Sequence, residues 1–278
     1  MASKVALVTG ASSGIGEAVA RQLHDAGFTV YAAARRVDRM QGLRAAGIRP
    51  IALDVTDDSS AQDAVAQIIA EQGRVDVLVN NAGYGSYGAL EDVPLTEAQA
   101  QLDVNVLGLA RLARLVLPPM RAQRSGTIIN VSSMGGNFTT PLGAWYHASK
   151  YAVEAISDAM RMELAPFGIQ VVVIQPGAIR TEWGAIAAEK VLETSGDGVY
   201  RSQAEGVAKT LGDSSLPDAG RTSSPDVVAQ AIVKAATARR PRTRYRIGFG
   251  AKPLVFVKRV LPDRAFDWLI KRGTGVRS

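Results

Sequence analysis

The sequence predicts an α/β fold: a doubly wound parallel sheet between two layers of helices, three layers α/β/α in all. Three observations predict it. Short runs of apolar, largely β-branched residues alternate with helical patterns along most of the 278 residues, which is the rhythm of strand–helix–strand units. The first run ends in a glycine-rich loop that opens a helix. Later runs end in polar or glycine-containing clusters: Asp54-Val55, Asn80-Asn81-Ala82-Gly83, Ser132-Ser133 and Pro176-Gly177. Ligands in such sheets bind beyond the carboxyl ends of the strands, so these clusters are expected to meet in one crevice.

Residues 4–8 read as a buried strand bounded by Thr9-Gly10. Gly10-Ala11-Ser12-Ser13-Gly14-Ile15-Gly16 follows, then a helical pattern through Ala26. Strand, glycine loop and helix is the arrangement in which backbone N–H groups and a helix N-terminus hold a pyrophosphate. The spacing here is G-x-x-x-G-x-G. An ordinary tight turn is the alternative, and three glycines with these flanks favour the nucleotide.

Residues 28–34 form the second expected strand. In dinucleotide folds of the Rossmann type, an acid at this strand's end holds the 2′-hydroxyl of NAD, whereas an arginine accommodates the 2′-phosphate of NADP. Here the end reads Ala33-Ala34-Arg35-Arg36, with no acid before Asp38. A guanidinium pairs with phosphate through charge-assisted bonds. The expected cofactor is therefore NADP(H) rather than NAD(H), with Arg35 the main contact and Arg36 the second. The competing reading is a pair of solvated loop arginines.

Residues 48–53 are a third strand, and 57–72 a helix with Asp57 as N-cap. Residues 75–79 are a fourth strand. Tyr84-Gly85-Ser86-Tyr87-Gly88 then continues as a glycine-rich loop suited to a substrate mouth. Thr96 is expected to cap a helix, and a second helical pattern covers 104–123. Asn105 sits inside that pattern. Asparagine is disfavoured in helix interiors, so it marks a local role, with an ordinary structural asparagine as the alternative. Residues 127–131, 144–165 and 168–175 are the next strand, helix and strand.

After Thr181 the strong motifs end, and 182–224 is read as a segment covering the substrate. Ser224-Pro225-Asp226 reads as an N-cap with proline at the first helical position. A last strand is expected at 242–249 and one or two amphipathic helices at 251–272. The expected organisation is one catalytic domain over 1–250 with a basic extension over 251–278.

The chain has no cysteine and two histidines. That excludes disulfides, thiolate chemistry and cysteine-ligated metal, and no metal is expected. The N-terminus reads as a first strand rather than a signal peptide. No stretch approaches the ~18 apolar residues of a membrane span. The expected location is cytoplasmic. The net charge of +6 hides an asymmetry: from Lys234 onward there are 13 Lys/Arg and 2 Asp, against 19 basic and 24 acidic residues before it. The basic tail reads first as a solvated face. It reads second as a peripheral contact with an anionic membrane, and last as nucleic-acid binding, for which no recognised module is present.

Tyr146 and Lys150 are four residues apart, so in a helix they share one face. An ammonium beside a phenol is expected to lower the phenol's pKa from its usual ~10. Ser133 follows the fifth strand and brings a hydroxyl to the same place. A hydroxyl, a phenol and an ammonium together handle a carbonyl oxygen. His147 is expected to point off this face as a bystander. Trp183, Tyr84, Tyr87, Phe138, Leu142 and Trp145 are the apolar residues placed to wall a pocket.

These residues resemble the short-chain dehydrogenase/reductase family. The carriers are Thr9-Gly-Ala-Ser-Ser-Gly-Ile-Gly16, Asp54-Val55, Asn80-Asn-Ala-Gly83, Asn105, Ser133, Tyr146-x-x-x-Lys150 and Pro176-Gly-Ala-Ile-Arg-Thr181, in family order from residue 4 to 181. The resemblance implies Tyr146 as general acid in reduction and base in oxidation, and Lys150 as its modulator and a ligand of the nicotinamide ribose. It implies Ser133 as the group polarising the substrate oxygen, and Asn105 as holder of a relay water. Asp54 and Val55 would meet the adenine, and Asn81 the adenosine ribose. Ile179 (through its backbone) and Thr181 would meet the carboxamide. The tail more loosely resembles the hydroxysteroid and retinol dehydrogenase branch. The family also implies a homo-dimer or homo-tetramer.

The expected function is oxidoreduction between a secondary alcohol and a ketone, or an alcohol and an aldehyde, on a hydrophobic small molecule. The runner-up is a 3-oxoacyl-thioester reductase, whose acidic carrier or CoA would meet the basic tail. A non-catalytic NADP-sensing module is the third reading, and the intact Ser133, Tyr146 and Lys150 argue against it.

Overall fold

The computed structural model describes residues 3–216, 220 and 222–276. Its centre is one seven-stranded sheet: β1 (Val5–Thr9), β2 (Thr29–Ala34), β3 (Arg49–Ala52), β4 (Val77–Asn80), β5 (Gly126–Val131), β6 (Ile169–Pro176) and β7 (Arg244–Ile247). Every neighbouring pair is parallel, in the order β3-β2-β1-β4-β5-β6-β7. The chain runs outward from β1 to β3 and restarts at β4 on the other side of β1. That reversal opens a crevice beyond the carboxyl ends of β1 and β4.

Alternate residues of one strand point to opposite faces. Ala6 and Val8 of β1 join Val19, Ala20 and Leu23 of α1 (Gly14–Asp25), Leu43 of α2 (Gln41–Ala45) and Val228 and Ile232 of α9 (Pro225–Thr237) in one apolar layer. Val5 and Leu7 join α3 (Asp58–Gln72), α5 (Gly108–Gln123) and α6 (Ala144–Leu164) in the other. With both faces covered, β1 is buried at all five positions, which is why it reads as a continuous apolar run.

Two of the expected caps are formed. The Asp57 carboxylate accepts from the Ser60 N–H at 2.8 Å, and the Ser224 hydroxyl accepts from the Asp226 N–H at 3.2 Å. The expected Thr96 cap is not. Helix α4 (Leu95–Leu102) starts directly after Pro94, whose extended backbone (ψ 140°) ends the preceding segment, and Thr96 lies inside the first turn. The helix expected over 104–123 is also modified. Residues Asp103–Leu107 form a π-turn, and α5 begins at Gly108. π-turns of this kind are commonly found at functional sites.

The segment after β6 contains two packed helices, α7 (Glu182–Ser195) and α8 (Arg201–Asp213). Their signal in the sequence is weak because the buried residues are small: Gly184, Ala187, Val191 and Ser195 on α7, Ala204, Val207 and Ala208 on α8. Small residues let the helices approach closely. A Cβ at Gly184 would stand 2.6 Å from the Leu211 carbonyl oxygen. The chain ends in α10 (Ala251–Val260) and α11 (Asp263–Gly273). Val255, Phe266 and Ile270 of these helices pack on Phe138, which lies between β5 and α6. Tail residues 277 and 278 lie outside the described residues.

Candidate active site

A cleft of about 1950 Å³ lies beyond the carboxyl ends of the strands. Its floor near β1 is backbone. Gly10 and Gly14 have φ of +63° and +56°, a region open to glycine at no steric cost. A Cβ at Gly10 would stand 2.9 Å from Ala82 Cα, and one at Gly16 would stand 2.2 Å from the Gly10 carbonyl oxygen. Gly16 thus does not line the cleft; it lets α1 close against the loop. Ser13 precedes α1 without making a side-chain cap, so the helix presents uncapped N–H groups to the cleft, as an anion site requires. The Asn81 amide donates to the carbonyls of Thr9 (3.0 Å) and Gly10 (3.3 Å), which ties β4 to the glycine loop. These residues fit a dinucleotide pyrophosphate.

Of the expected cofactor residues, Gly10, Ser13, Gly14, Ile15, Arg35, Arg36, Asn81, Ala82, Gly83, Pro176, Gly177, Ile179 and Thr181 line this cleft. Arg35 and Arg36 are both exposed, and among the described residues no carboxylate forms an ion pair with either. Ser12, Gly16, Asp54 and Val55 are not among the lining residues. The Asp54 carboxylate accepts from the Thr56 N–H (2.9 Å) and hydroxyl (2.7 Å). Burial pushes that carboxyl up, but the two Thr56 bonds and the charge of Arg35 outweigh it and leave it below the usual range. Val55 packs under the first residue of α5, where a Cβ on Gly108 would touch it at 2.9 Å.

Tyr146 and Lys150 enter from the first two turns of α6, and Ser133 from the end of β5. All three line the same cleft. Tyr146 and Lys150 are each only 8% exposed. Burial pushes the Tyr146 phenol up to about 12, and its hydrogen bond with Ser133 works against that rise. The expected lowering by Lys150 is thus not what the fold delivers. The Lys150 ammonium donates to the Val131 carbonyl at 3.1 Å and stands 6.0 Å from the Tyr146 ring centroid. Burial lowers Lys150 itself to about 8, opposed by the charge of Glu154. Desolvation disfavours the charged form of each group and is the largest cause of both shifts.

Asn105 lies in the π-turn, buried, beside Lys150 rather than in the main cleft. Its amide N–H groups reach the Tyr84 carbonyl (2.9 Å) and the Ser149 hydroxyl (3.0 Å), and its Oδ1 accepts from the Tyr84 N–H at 3.0 Å. Gly83 separates it from Lys150: a Cβ there would lie 3.0 Å from Asn105 Oδ1 and 3.6 Å from Lys150 Nζ. Its side chain ties the start of the 84–88 loop to Ser149 of α6.

The apolar wall around Tyr146 comes from elements far apart in sequence. The Tyr87 ring is 5.5 Å and the Trp183 ring 5.2 Å from that of Tyr146, and Tyr87 and Trp183 are 6.0 Å apart. Tyr84 and Phe138 also line the cleft, whereas Leu142 and Trp145 do not. Leu142 instead takes a left-handed conformation (φ 59°) and accepts the Gly88 N–H at 2.7 Å. His147 has a structural task that its position beside Tyr146 hid. Its Nδ1 meets the Gly135 carbonyl at 2.9 Å and its Nε2 accepts the Thr140 N–H at 3.1 Å, which fixes the loop after Ser133. Sequence reading also missed Ile186, Leu254 and Trp268, which line the outer cleft.

The arrangement places one donor pair, Ser133 and Tyr146, beside a cation, next to a cradle for a dinucleotide. Comparisons with known proteins show the family. The sequence profile described as "short chain dehydrogenase" matches residues 4–191. A protein of Helicobacter pylori named "probable short-chain type dehydrogenase/reductase VdlC" is 34% identical over 267 residues, 96% of each chain. The 3-ketodihydrosphingosine reductase of Bacteroides thetaiotaomicron is 44% identical over 181 residues, 65% of this chain and 66% of that one. A crystal structure of a metagenomic short-chain oxidoreductase in complex with NADP superposes with a TM-score of 0.68 at 28% identity, covering 87% of this chain and 95% of the other. The protein is an oxidoreductase acting on CH–OH groups, and the chain belongs to the short-chain dehydrogenase family.

Proposed function

We propose that this chain is an NADP(H)-dependent oxidoreductase that interconverts a secondary alcohol and a ketone, or an alcohol and an aldehyde, on a hydrophobic small molecule. The observation that carries the reading is the setting of Tyr146. Its phenol is bonded to Ser133 and walled by Tyr87 and Trp183, within the cleft that also holds the glycine loop and Arg35.

Gly10, Ser13, Gly14 and Ile15 would hold the pyrophosphate, and Arg35 with Arg36 the 2′-phosphate. Ala82, Gly83, Pro176, Gly177, Ile179 and Thr181 would border the nicotinamide side. Ser12, Asp54, Val55 and Asn81 keep the roles that family likeness implies for them. The bound cofactor supplies the reducing equivalent at the carbonyl carbon. Negative charge then grows on the carbonyl oxygen, where the Ser133 and Tyr146 hydroxyls are the available donors. Tyr146 delivers the proton. A phenol held near 12 is protonated at neutral pH, the state a proton donor needs in the reduction step. Lys150, titrating near 8, is largely cationic at pH 7 and stabilises the phenolate left behind. Asn105 positions the loop beside Lys150.

NADP(H) is supported by the paired arginines and by the NADP complex of the metagenomic neighbour. A hydrophobic carbonyl substrate is supported by the aromatic wall and by the name of the Bacteroides relative, a 3-ketodihydrosphingosine reductase. Assembly as a homo-dimer or homo-tetramer belongs to the same proposal, and light scattering of the purified chain checks it. The decisive experiment pairs cofactor and substrate. Arg35→Ala is expected to weaken NADPH binding by about tenfold to a hundredfold, the worth of one or two charge-assisted bonds, and NADH binding far less. Ketones of increasing alkyl length should be turned over with rising kcat/KM. Equal losses for both cofactors would overturn the NADP assignment. Turnover confined to 3-oxoacyl thioesters would move the protein to the reductases of carrier-bound acyl chains.

A further inference from the structure

We propose that α10 and α11 dock the mouth of the cleft onto an anionic lipid bilayer. These helices bury one face and leave the other bare. Val255 of α10 and Phe266 and Ile270 of α11 meet in one cluster with Phe138. On each helix the face opposite those residues points away from that cluster. On the bare side Phe256 is 65% exposed, Val260 58% and Trp268 63%, and Leu261 joins them at the turn between the helices. These residues follow helical spacing: 252, 256 and 260 share one face of α10, and 264, 268 and 272 one face of α11.

Basic side chains occupy the same faces. Lys252, Arg259, Arg264, Lys271 and Arg272 are all exposed, and the Arg272 guanidinium lies over the Trp268 ring at 5.6 Å. Two carboxylates belong to the surface. Asp263 is taken by Lys258 at 2.7 Å, and Asp267 is exposed. A merely solvated basic face has no reason to expose a phenylalanine, a tryptophan and a valine in register with its charges. Basic residues interleaved with exposed aromatic and aliphatic ones match an interface with anionic headgroups above and acyl chains below. A nucleic acid uses the charges but not Val260 or Leu261.

The surface is also continuous with the cleft. Trp268, Leu269, Lys271 and Arg272 line its outer part, and Leu254 of α10 lines it with them. A bilayer seated here faces the entrance through which a lipophilic molecule passes to Tyr146. Docking itself does not depend on the proposed substrate. Delivery of substrate from the bilayer rests on that reading.

The 278-residue chain is mixed with vesicles of neutral phosphatidylcholine, or of phosphatidylcholine with about one-third phosphatidylglycerol, and sedimented. Binding to the anionic vesicles at least tenfold above the neutral ones, falling with salt, is expected. Brominated acyl chains should quench fluorescence in wild type and much less in Trp268→Phe, since Trp145 and Trp183 are half-buried and lie outside α10 and α11. Phe256→Ser/Val260→Ser and Arg259→Glu/Arg264→Glu should each lower partitioning at least tenfold. Neither pair touches the core or the cleft, so turnover of a water-soluble ketone should stay unchanged in both. Equal binding to neutral and anionic vesicles, or wild-type binding by both double variants, overturns the proposal. Loss of self-association in Phe256→Ser/Val260→Ser with vesicle binding intact assigns the face to a second copy and also overturns it. Vesicle binding that persists while every carbonyl tested is inert leaves docking standing and removes the proposed substrate reading alone.

Discussion

The two sides of the cleft are built from different materials. The β1–β4 side is backbone: a loop with glycines at positive φ, a helix N-terminus without a cap and an asparagine that ties two strand ends together. The far side is side chains: Tyr87, Trp183, Phe138 and Leu254, delivered by two separate loops, helix α7 and the C-terminal tail. A backbone site tolerates almost no substitution, because its dimensions are set by covalent geometry. A side-chain wall tolerates many, because a neighbour can repack. The first kind suits a cofactor of constant shape, and the second suits a substrate whose shape distinguishes one relative from another.

Changes that respect or violate this division test it. The largest effect is expected at the group between the two sides. Tyr146→Phe removes the proposed proton donor and should lower turnover by roughly 10²–10⁴-fold, while NADPH affinity, read by fluorescence titration, stays within about threefold of wild type. Undiminished turnover would remove Tyr146 from the chemistry. On the backbone side, Gly16→Ala places a Cβ 2.2 Å from the Gly10 carbonyl. The loop must shift, and NADPH affinity should fall by about tenfold or more, a strain of 1–3 kcal/mol. Gly198→Ala, in the turn between α7 and α8, meets nothing within 4 Å and should leave both affinity and melting temperature unchanged. If the two glycine variants behaved alike, the contrast between rigid and adaptable sides would fail.

On the side-chain wall, Trp183→Ala should raise KM for a bulky ketone roughly tenfold, the worth of part of an aromatic face. The kcat for a small ketone should hardly move. A fall in kcat for both would show that Trp183 positions Tyr146 rather than the substrate. The smallest effect concerns stability. Lys150 titrates near 8 in the fold against 10.5 for the unperturbed group. Between these values the unfolded chain holds more protons than the folded one, so folding stability rises with pH across that window. Denaturant titrations from pH 8 to 10.5 should show wild type gaining stability relative to Lys150→Met. A flat difference would mean that Lys150 is not desolvated as its burial implies.

Much of the backbone side was legible in the sequence. Glycines at Gly10, Gly14 and Gly16 after a five-residue apolar run announce a tight βα turn, and Arg35-Arg36 stand one step beyond β2 without any tertiary information. Asp57 and Ser224 were legible as caps because a cap is a local hydrogen bond. Thr96 misled because Pro94 had already ended the preceding extended segment. Helices α7 and α8 left little trace because they bury alanine, glycine and serine, which carry weak periodicity. His147 read as a bystander because its partners, Gly135 and Thr140, belong to a loop whose path is set only when β5 and α6 pack.

The sequence by itself determined the order and kind of the elements, the cofactor loop and the spacing that puts Tyr146 and Lys150 on one helical face. These are consequences of local dihedral preference and short-range hydrogen bonding. The tertiary structure alone decided that Tyr146 is held as a protonated phenol near 12, with Lys150 brought down to about 8. It also committed Asn105 to the Tyr84 backbone, and it turned one face of the tail helices into the core while leaving Phe256 and Trp268 bare. The physical reason is the same in each case: desolvation depends on which distant segments close over a group, and no stretch of chain carries that information about itself.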